Sequence, residues 1–266
     1  MSPYPATARA TGQWGRVMRG IVMGVGGLVV AAASHAGFEE FVIRGTPTIN
    51  DLGGGQTEIL TLTGGDKAAL GSNDVNGQTL GSLTRIAIDR LDDRSRFSPG
   101  SGPHVAPYLN FWITDGAGNF AVAANEPSNP AFQSLFVNGY DLSFSDLADK
   151  VVKIYENADV SWLPNAGVGL TFGDIATFLI QAPTVSQLTT GWTGLGTGAP
   201  RELGTNKAYG VNWVFGDTLS NYVSGDPGYV VANASVSAAT VPEPSSMALI
   251  GLALLGVAAV QRRKRH

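Results

Sequence analysis

The sequence of 266 residues contains no cysteine and only three histidines, which limits the chemistry it can perform. Without cysteine the chain forms no disulfide, no thiol nucleophile and no cysteine-ligated zinc site. Two of the histidines, His35 and His266, lie in terminal segments with the character of targeting signals. A Ser-His-Asp mechanism would depend on His104, and no Gly-x-Ser-x-Gly motif accompanies it. We therefore assign no catalytic residue and expect that the protein is not an enzyme.

Basic residues are scarce between the two ends of the chain. Residues 37–240 hold 10 lysines and arginines against 20 aspartates and glutamates, a formal net charge of −10. The value of −4 for the whole chain hides this acidity, because seven of its 17 basic residues lie in the terminal segments. A body of this charge repels phosphate backbones, so we predict that it binds no nucleic acid.

The N-terminal residues 1–36 have the pattern of a secretory signal peptide. Arginines precede an apolar run at Ile21–Ala33, and small side chains end the segment at Ala36. A run of 13 residues is too short to span a bilayer comfortably, which favours a signal peptide over a membrane anchor. We predict export, with cleavage by signal peptidase after Ala36. A start at Met18 instead of Met1 would give a signal of more ordinary length and leaves the prediction of export unchanged.

The C-terminal residues 241–266 combine a Pro-Glu-Pro motif, an apolar segment of 14 residues and a basic cluster, in that order. The prolines withhold amide donors and favour extended backbone, which suits a peptidase substrate. The apolar segment would form a helix of about 21 Å against a hydrocarbon core of roughly 30 Å, so we expect a marginal transmembrane helix at about 245–261. The motif and the basic cluster consist of Val241, Pro242, Glu243, Pro244, Arg262, Arg263, Lys264 and Arg265.

This tail resembles the PEP-CTERM sorting signal of Gram-negative bacteria, in which Val-Pro-Glu-Pro, a short transmembrane helix and an arginine-rich end follow one another. The resemblance implies cleavage by an exosortase near Pro242 to Pro244, and an association with exopolysaccharide and biofilm-forming species. The basic end would stay in the cytoplasm, which places residues 37–240 outside. The alternative is an ordinary single-pass anchor. We expect transient anchoring in the inner membrane, followed by transfer to the cell surface or the extracellular matrix.

The body at residues 37–240 is predicted to be one all-β domain between the signal helix and the transmembrane helix. Short alternating segments punctuated by glycine are typical of antiparallel sheets, and their spacing favours a β-sandwich or jelly roll. In the last segment, alternation places Val230, Ala232 and Val236 on one face. The predicted strands are Glu58–Thr63, Leu83–Leu91, Tyr108–Thr114, Asn119–Ala124, Val151–Asn157, Ala208–Phe215 and Tyr229–Ala238.

Turns and short helices complete the predicted body. Asp115–Gly118 supplies two glycines for a hairpin turn between the third and fourth predicted strands. Short helices are predicted at Ser145–Lys150 and Phe172–Ile180, each with a hydroxyl side chain and an aspartate near its start. Residues 189–206 are predicted to form a long exposed loop, and residues 224–228 a turn.

The strand Tyr108–Thr114 carries the candidate binding residues. Alternation places its apolar side chains on one face and Tyr108, Asn110, Trp112 and Thr114 on the other. Aromatic rings beside an amide and a hydroxyl can stack on a pyranose and hydrogen-bond its hydroxyl groups, so this face is a candidate for glycan binding. The alternative is a central strand buried on both faces, with Trp112 in a second core.

Two segments carry candidates for a reactive site or a metal site. A glycosidase needs two carboxylates facing one cleft, and Asp89, Asp92 and Asp93 are candidates, although interleaved arginines favour ion pairs instead. Calcium stays open as a ligand without an assignable site. Ser72–Gly77 offers oxygen ligands but lacks the closing acid of an EF-hand, and Asp115 is expected to be an Asx-turn residue. We therefore predict no cofactor and no metal site.

Three functions remain open at this point. The preferred one is an exported, exosortase-processed protein of the cell surface or the exopolysaccharide matrix, with polysaccharide as a candidate partner beside signal peptidase and exosortase. The first alternative is an exported enzyme that acts on polysaccharide through a carboxylate pair. The second is a structural matrix protein without a ligand.

Overall fold

The computed structural model describes residues 37–92, 106–125, 141–155, 159–190, 198–216 and 228–239. The predicted signal peptide with Ala36, the tail at 241–266 with its membrane helix, and His104 all lie outside the described residues. Within the described ranges, no helix combines the length and the apolar character needed to cross a membrane.

The described residues form two antiparallel β-sheets. The first sheet has the strand order β1, β4, β11, β6, β7, β9, with β10 also paired to β6, and the second has the order β2, β3, β12, β5, β8. The prediction of an all-β antiparallel body with a few short helices is therefore confirmed. The strands are β1 (Glu39–Arg44), β2 (Thr48–Gly53), β3 (Gln56–Leu60), β4 (Lys67–Ser72), β5 (Leu83–Arg90), β6 (Tyr108–Thr114), β7 (Phe120–Ala124), β8 (Asp141–Leu142), β9 (Lys153–Tyr155), β10 (Leu179–Ile180), β11 (Val211–Phe215) and β12 (Tyr229–Ala238).

Several strands lie where alternation predicts them. β6 and β12 have their full predicted length, and β5 ends one residue before the predicted Leu91. The predicted hairpin between β6 and β7 is present. The Asp115 carboxylate accepts a 2.8 Å hydrogen bond from the backbone N–H of Ala117, which is the expected Asx turn.

Other strand ends are set by contacts that the sequence pattern does not reveal. β3 ends at Leu60 because the backbone N–H groups of Leu62 and Thr63 turn toward the Asp66 carboxylate, at 3.0 Å each. The strands predicted at Val151–Asn157 and Ala208–Phe215 are shorter in β9 and β11. Their first residues form isolated single bridges, to Thr171 and Arg201 respectively.

β1, β2 and β4 lie outside the predicted strands. β4 is buried at every position and is built largely from small residues, so it shows no alternation. β2 is half-buried at its start and exposed at its end, with polar residues in the middle. Periodicity detects strands whose sequence alternates between apolar and polar residues, and the sequences of these three strands do not alternate in that way.

Two short α-helices occur among the described residues: α1 (Phe144–Leu147) and α2 (Val185–Thr190). The helix predicted at Ser145–Lys150 begins earlier, because the Asp146 carboxylate accepts hydrogen bonds from the N–H and the hydroxyl of Ser143 at 2.7 and 2.8 Å. α2 includes the start of the predicted loop at 189–206, whose residues 191–197 lie outside the described ranges.

The helix predicted at Phe172–Ile180 is replaced by a 3₁₀ turn at Gly173–Ile175 followed by β10. Its predicted start is correct, since the Asp174 carboxylate accepts hydrogen bonds from the N–H and hydroxyl of Thr171, each at 2.8 Å. The chain then leaves the helical path because Leu179–Ile180 pairs with the end of β6. A tertiary contact thus overrides the local helix signal.

Both sheets contribute to one hydrophobic core. The rings of Phe215 in the first sheet and Tyr229 in the second meet edge to face, with centroids 5.3 Å apart. This contact shows that the two sheets face each other through the core. Among its fully buried side chains are Ile59, Ile86, Leu109, Phe111, Phe172 and Trp213.

A β-bulge divides β12. Between two register positions β12 advances three residues while β5 advances two, and Asn233 in this interval has φ 51°. The extra residue exchanges the two faces of the strand. Val231 is in the core before the bulge, and Val236 packs against the core after it. The prediction that Val230 shares the face of Val236 is therefore wrong.

Candidate functional site

The four residues predicted as a glycan-binding face on β6 are buried. The exposed fractions of Tyr108 and Thr114 are 3 %, and those of Asn110 and Trp112 are 0 %. An aromatic ring must be accessible to solvent before it can stack on a sugar, and these rings are not. The prediction that this face of β6 binds a glycan is therefore wrong. The alternative, a strand buried on both faces, is the arrangement that the structure has.

A second apolar cluster covers this face of the first sheet. Trp112 packs there with residues of β7, α2 and the segment after residue 198. Three polar side chains of this face donate hydrogen bonds within the fold, while Asn110 Oδ1 is buried without a partner among the described residues. Trp112 Nε1 donates to Pro200 O at 3.0 Å and Asn110 Nδ2 donates to the Tyr155 hydroxyl at 2.5 Å. Thr114 Oγ1 donates to Asn119 O at 2.5 Å. The aromatic and amide residues therefore have a packing role. The cluster comprises Trp112, Phe120, Val122, Ala182, Leu188, Ala199 and Ala208.

The acidic residues at the end of β5 also make structural contacts. Arg90 and Asp92 form an ion pair whose side chains are both fully buried, and Arg85 Nε pairs with Asp141 at 2.8 Å. Asp89 accepts a 2.7 Å hydrogen bond from Asn233 Nδ2. The expected pairing of these acids with arginine is therefore seen for Asp92, and Asp93 lies outside the described residues.

The Ser72–Gly77 loop, the candidate for calcium, is held by hydrogen bonds to Asn73, while Asp74 Oδ1 and Asn76 Oδ1 are buried without a partner in the described part of the chain. Asn73 Oδ1 accepts from Asn76 Nδ2 and from the N–H of Gly210, each at 2.9 Å. Burial raises the pKa of Asp74. Among the described residues, no group of three histidine or acidic side chains is placed to hold a metal ion.

An open groove lies where the two sheets meet near β1. Its volume is about 510 Å³, within the range typical of small-molecule sites. Its lining comes from the start of β1, the turn between β2 and β3 with the residues on either side, β4 and the bulged part of β12. We call it the β1/β12 groove; its lining residues are Phe38, Glu40, Asp51, Gly53, Gly54, Gly55, Gln56, Thr57, Leu70, Val231, Ala232, Asn233 and Ala234.

The local sequence explains why the β1/β12 groove opens. The turn Gly53–Gly55 has φ values of 78°, 63° and 77°, a left-handed run that glycine adopts without steric cost. The pairing of β3 with β12 stops at Gln56 opposite Ala232. From Asn233 onward β12 has lost its β3 neighbour, and the bulge turns the strand there. Space is therefore left between the turn and β1.

A hydrogen bond between the two sheets closes one side of the β1/β12 groove. Thr57 Oγ1 in β3 donates to Glu40 Oε1 in β1. Phe38 lies next to it, half-buried and packed against the edge of the core. The groove thus combines a fixed aromatic ring with polar side chains that reach solvent.

Polar groups in the β1/β12 groove keep unused hydrogen-bonding capacity. One carboxylate oxygen of Glu40 accepts from Thr57, and Asp51 Oδ1 accepts from the N–H of Gly53 at 2.8 Å. The second oxygen of each carboxylate and the side-chain amide of Gln56 have no partner among the described residues. These groups can bond a ligand without breaking a contact of the fold.

Sequence reasoning does not find the β1/β12 groove. Its residues come from five strands and a turn, and no single segment shows by its own sequence that it lines a groove. The run Gly53–Gly55 was the available local signal, since three consecutive glycines permit an open left-handed turn. The bulge at Asn233 decides which residues the turn faces. The regular alternation in the sequence of β12 gives no sign of this bulge.

Comparison with protein families adds one finding. A family model described as the PEP-CTERM protein-sorting motif matches residues 240–264. The chain carries a PEP-CTERM sorting motif. It is therefore an exported protein that transits the membrane and is targeted to an exosortase. No curated protein and no solved structure matches the chain.

The PEP-CTERM motif begins directly after the second sheet. β12 ends at Ala238, and the backbone N–H of Ala239 donates to Ser82 O at 2.8 Å. The motif match starts at residue 240. The described end of the body and the residues matched by the sorting motif are therefore adjacent in the sequence.

Proposed function

We propose that the protein is a non-enzymatic component of the cell surface or the exopolysaccharide matrix, and that it binds a glycan in the β1/β12 groove. The observation that carries this proposal is the combination of Phe38 with partner-free polar atoms in one open groove. In this view the two sheets are the layers of a β-sandwich that presents the groove at one edge.

Sugar recognition explains the composition of the β1/β12 groove. A pyranose has an apolar face that packs on an aromatic ring, here Phe38, and hydroxyl groups that need acceptors and donors. Asp51 and Gln56 supply such groups in the lining. The glycine turn exposes backbone to the ligand, because a side chain built at any of its three positions would meet only open space.

Binding without turnover is favoured over hydrolysis. A glycosidase acid needs a raised pKa and a second carboxylate at a set distance on the other side of the sugar. Burial raises the pKa of Asp74, but Asp74 does not line the β1/β12 groove. The carboxylates that do line it, Glu40 and Asp51, are exposed to solvent.

The PEP-CTERM motif supports the location. Export and exosortase targeting bring the body to the outer side of the inner membrane, and we propose that processing then releases it into the envelope and matrix of a Gram-negative cell. A protein retained there meets polysaccharide at high local concentration. Weak binding by one groove is therefore sufficient for retention.

A glycan array probed with the full chain, purified in detergent, tests the proposal. We expect binding to oligosaccharides, lowered about tenfold by Phe38→Ala because an aromatic contact contributes up to about 1.4 kcal/mol. Gln56→Ala, an exposed change in the same groove, should weaken binding without affecting the fold. Asp149→Asn, whose side chain is 82 % exposed outside the groove, is the control.

Three results decide the question. Binding lost in both groove variants and kept in Asp149→Asn supports the proposal. Binding that neither groove variant alters places the glycan elsewhere and overturns it. Release of reducing sugar from a polysaccharide would show instead that the protein is a polysaccharide-active enzyme.

A further inference from the structure

The charges that line the β1/β12 groove have one sign. Of its described lining residues, Glu40 and Asp51 are charged and both are acidic. Two cations outside the lining are paired elsewhere: Lys207 Nζ lies 2.6 Å from Glu39, and Arg85 Nε lies 2.8 Å from Asp141. The charged groups that line the groove itself are therefore two carboxylates.

The hydrogen-bonding groups of the β1/β12 groove are mostly acceptors. The Thr57 proton is used by Glu40, and one N–H of the Asn233 amide is used by Asp89, which leaves the second N–H and the carbonyl oxygen of Asn233. Carboxylates accept and do not donate. Among the side chains that line the groove, the amides of Gln56 and Asn233 keep donors without a partner in the described residues. A ligand that bonds the two carboxylates must bring donors.

Sugars differ in the donors they bring. A neutral pyranose offers hydroxyl protons, an unacetylated amino sugar adds an ammonium group with three donors and a positive charge, and a uronate adds a carboxylate. Opposite charges near a protein surface attract and like charges repel, and both effects are stronger than in bulk water because the local dielectric is lower. By charge and by hydrogen-bond donors, the amino sugar should bind the groove most tightly and the uronate most weakly.

We infer that the β1/β12 groove selects polysaccharide that carries protonated amino groups, such as partly de-N-acetylated amino-sugar polymers. This inference rests on the proposed function of the groove as a glycan site and adds the class of sugar. Phe38 holds the apolar face of one sugar ring. Glu40 and Asp51 bind the ammonium group through the oxygens that the fold leaves unused.

Binding of three matched oligomers to the full chain tests the inference. Glucosamine, N-acetylglucosamine and galacturonate oligomers of equal length are compared by titration calorimetry, at a pH that keeps the amines protonated. We expect the glucosamine oligomer to bind about tenfold more tightly than its acetylated form, with an advantage that shrinks at high salt. Galacturonate should bind most weakly.

Two groove variants remove the charge and keep the shape. Glu40→Gln retains an acceptor for Thr57, and Asp51→Asn retains one for the N–H of Gly53. Together they should bring the glucosamine and N-acetylglucosamine oligomers to similar affinities. Asp149→Asn, an acid of the same type outside the β1/β12 groove, should leave the preference intact. A thermal melt of each variant shows that it is folded.

The outcomes separate the inference from the proposed function. A preference for glucosamine that the double variant abolishes supports both. Tightest binding of the neutral or uronate oligomer, still weakened by Phe38→Ala, overturns the inference and keeps the groove as a glycan site. No binding of any oligomer, or binding that the groove variants do not alter, overturns the proposed function itself.

Discussion

The indole Nε1 of Trp112 donates a 3.0 Å hydrogen bond to the backbone oxygen of Pro200, a residue 88 positions further along the chain. Strand alternation places this ring on the predicted glycan-binding face, but the segment that contains Pro200 covers it. Its exposed fraction of 0 % makes it one of the largest fully buried side chains of the domain. Trp112 therefore contributes to packing, and the glycan binding that we propose is assigned to the β1/β12 groove.

Replacing Trp112 by Phe keeps most of the ring volume but leaves the Pro200 oxygen without this donor. We expect the free energy of unfolding in urea to fall by about 1 to 3 kcal/mol, the cost of a buried unpaired polar group and some lost packing. Trp162→Phe is the matched control, because Trp162 Nε1 also donates to a backbone oxygen, at 2.8 Å, but in an exposed turn. A larger loss for Trp162→Phe, or lost glycan binding in Trp112→Phe, would contradict this assignment.

Asp66 should make stability depend on pH. Burial raises its pKa, but the N–H groups of Thr46, Thr63 and Leu62 outweigh this and hold the pKa below its ordinary value. A carboxylate with a lowered folded pKa stabilises the fold above its unfolded pKa of about 3.9, and the contribution is lost as the pH falls through the folded pKa.

Asp66→Asn should therefore cost about 2 kcal/mol of unfolding free energy at neutral pH, since the charged acceptor is lost. The difference from the natural chain should narrow as the pH drops below about 4, which denaturant titrations at a series of pH values measure. Asp149→Asn, an exposed acid, should show no comparable loss. A difference that stays constant through the acid range would show that the charge of Asp66 is not responsible.

The backbone and the side chain of Asn233 have different roles, which two substitutions can distinguish. Its φ of 51° favours glycine or asparagine, and its amide donates to Asp89 at 2.7 Å. Asn233→Gly keeps the bulge and loses an exposed hydrogen bond, so stability should change by less than about 0.5 kcal/mol. Asn233→Ala adds left-handed strain of about 1 kcal/mol. Equal melting temperatures for the two variants would mean that the bulge relaxes without cost.

Exosortase processing should be limited by the folded body. Ala239 is still hydrogen-bonded to Ser82, and Pro242 to Pro244 lie three to five residues beyond it, about 10 to 16 Å of extended chain. A flexible Gly-Ser spacer of about four residues after Ala239 should therefore speed the appearance of the processed form in a pulse-chase experiment. Alanine in place of Pro242, Glu243 and Pro244 is the uncleaved control. Unchanged or slower processing would show that the enzyme reaches the motif beside the folded sheet.

Strands whose residues alternate regularly along the sequence could be predicted, and strands without that alternation could not. β6 and β12 have the predicted bounds because alternation over seven or more residues is a strong local signal. β4 is buried at all six positions and carries no such signal. At Phe172–Ile180 the capping contact of Thr171 with Asp174 is correctly predicted, but pairing with β6 ends the helix after one turn.

The binding face could not be predicted, because alternation separates two faces of a strand without telling which of them meets water. Phe111 and Trp112 point to opposite sides of β6, and both are fully buried since each side of the sheet is covered by a different apolar cluster. Covering residues such as Leu188 and Ala199 come from segments far along the chain. Their docking is a property of the tertiary structure alone.

The sequence by itself determined where the protein goes and which class of fold it has. A sorting motif is read as an extended segment of the chain, and strand alternation is set by neighbouring residues, so both are local. Only the tertiary structure decided which residues are accessible to a ligand. The β1/β12 groove brings Phe38, Asp51 and Asn233 together from distant segments, and that proximity depends on strand register and on the bulge in β12.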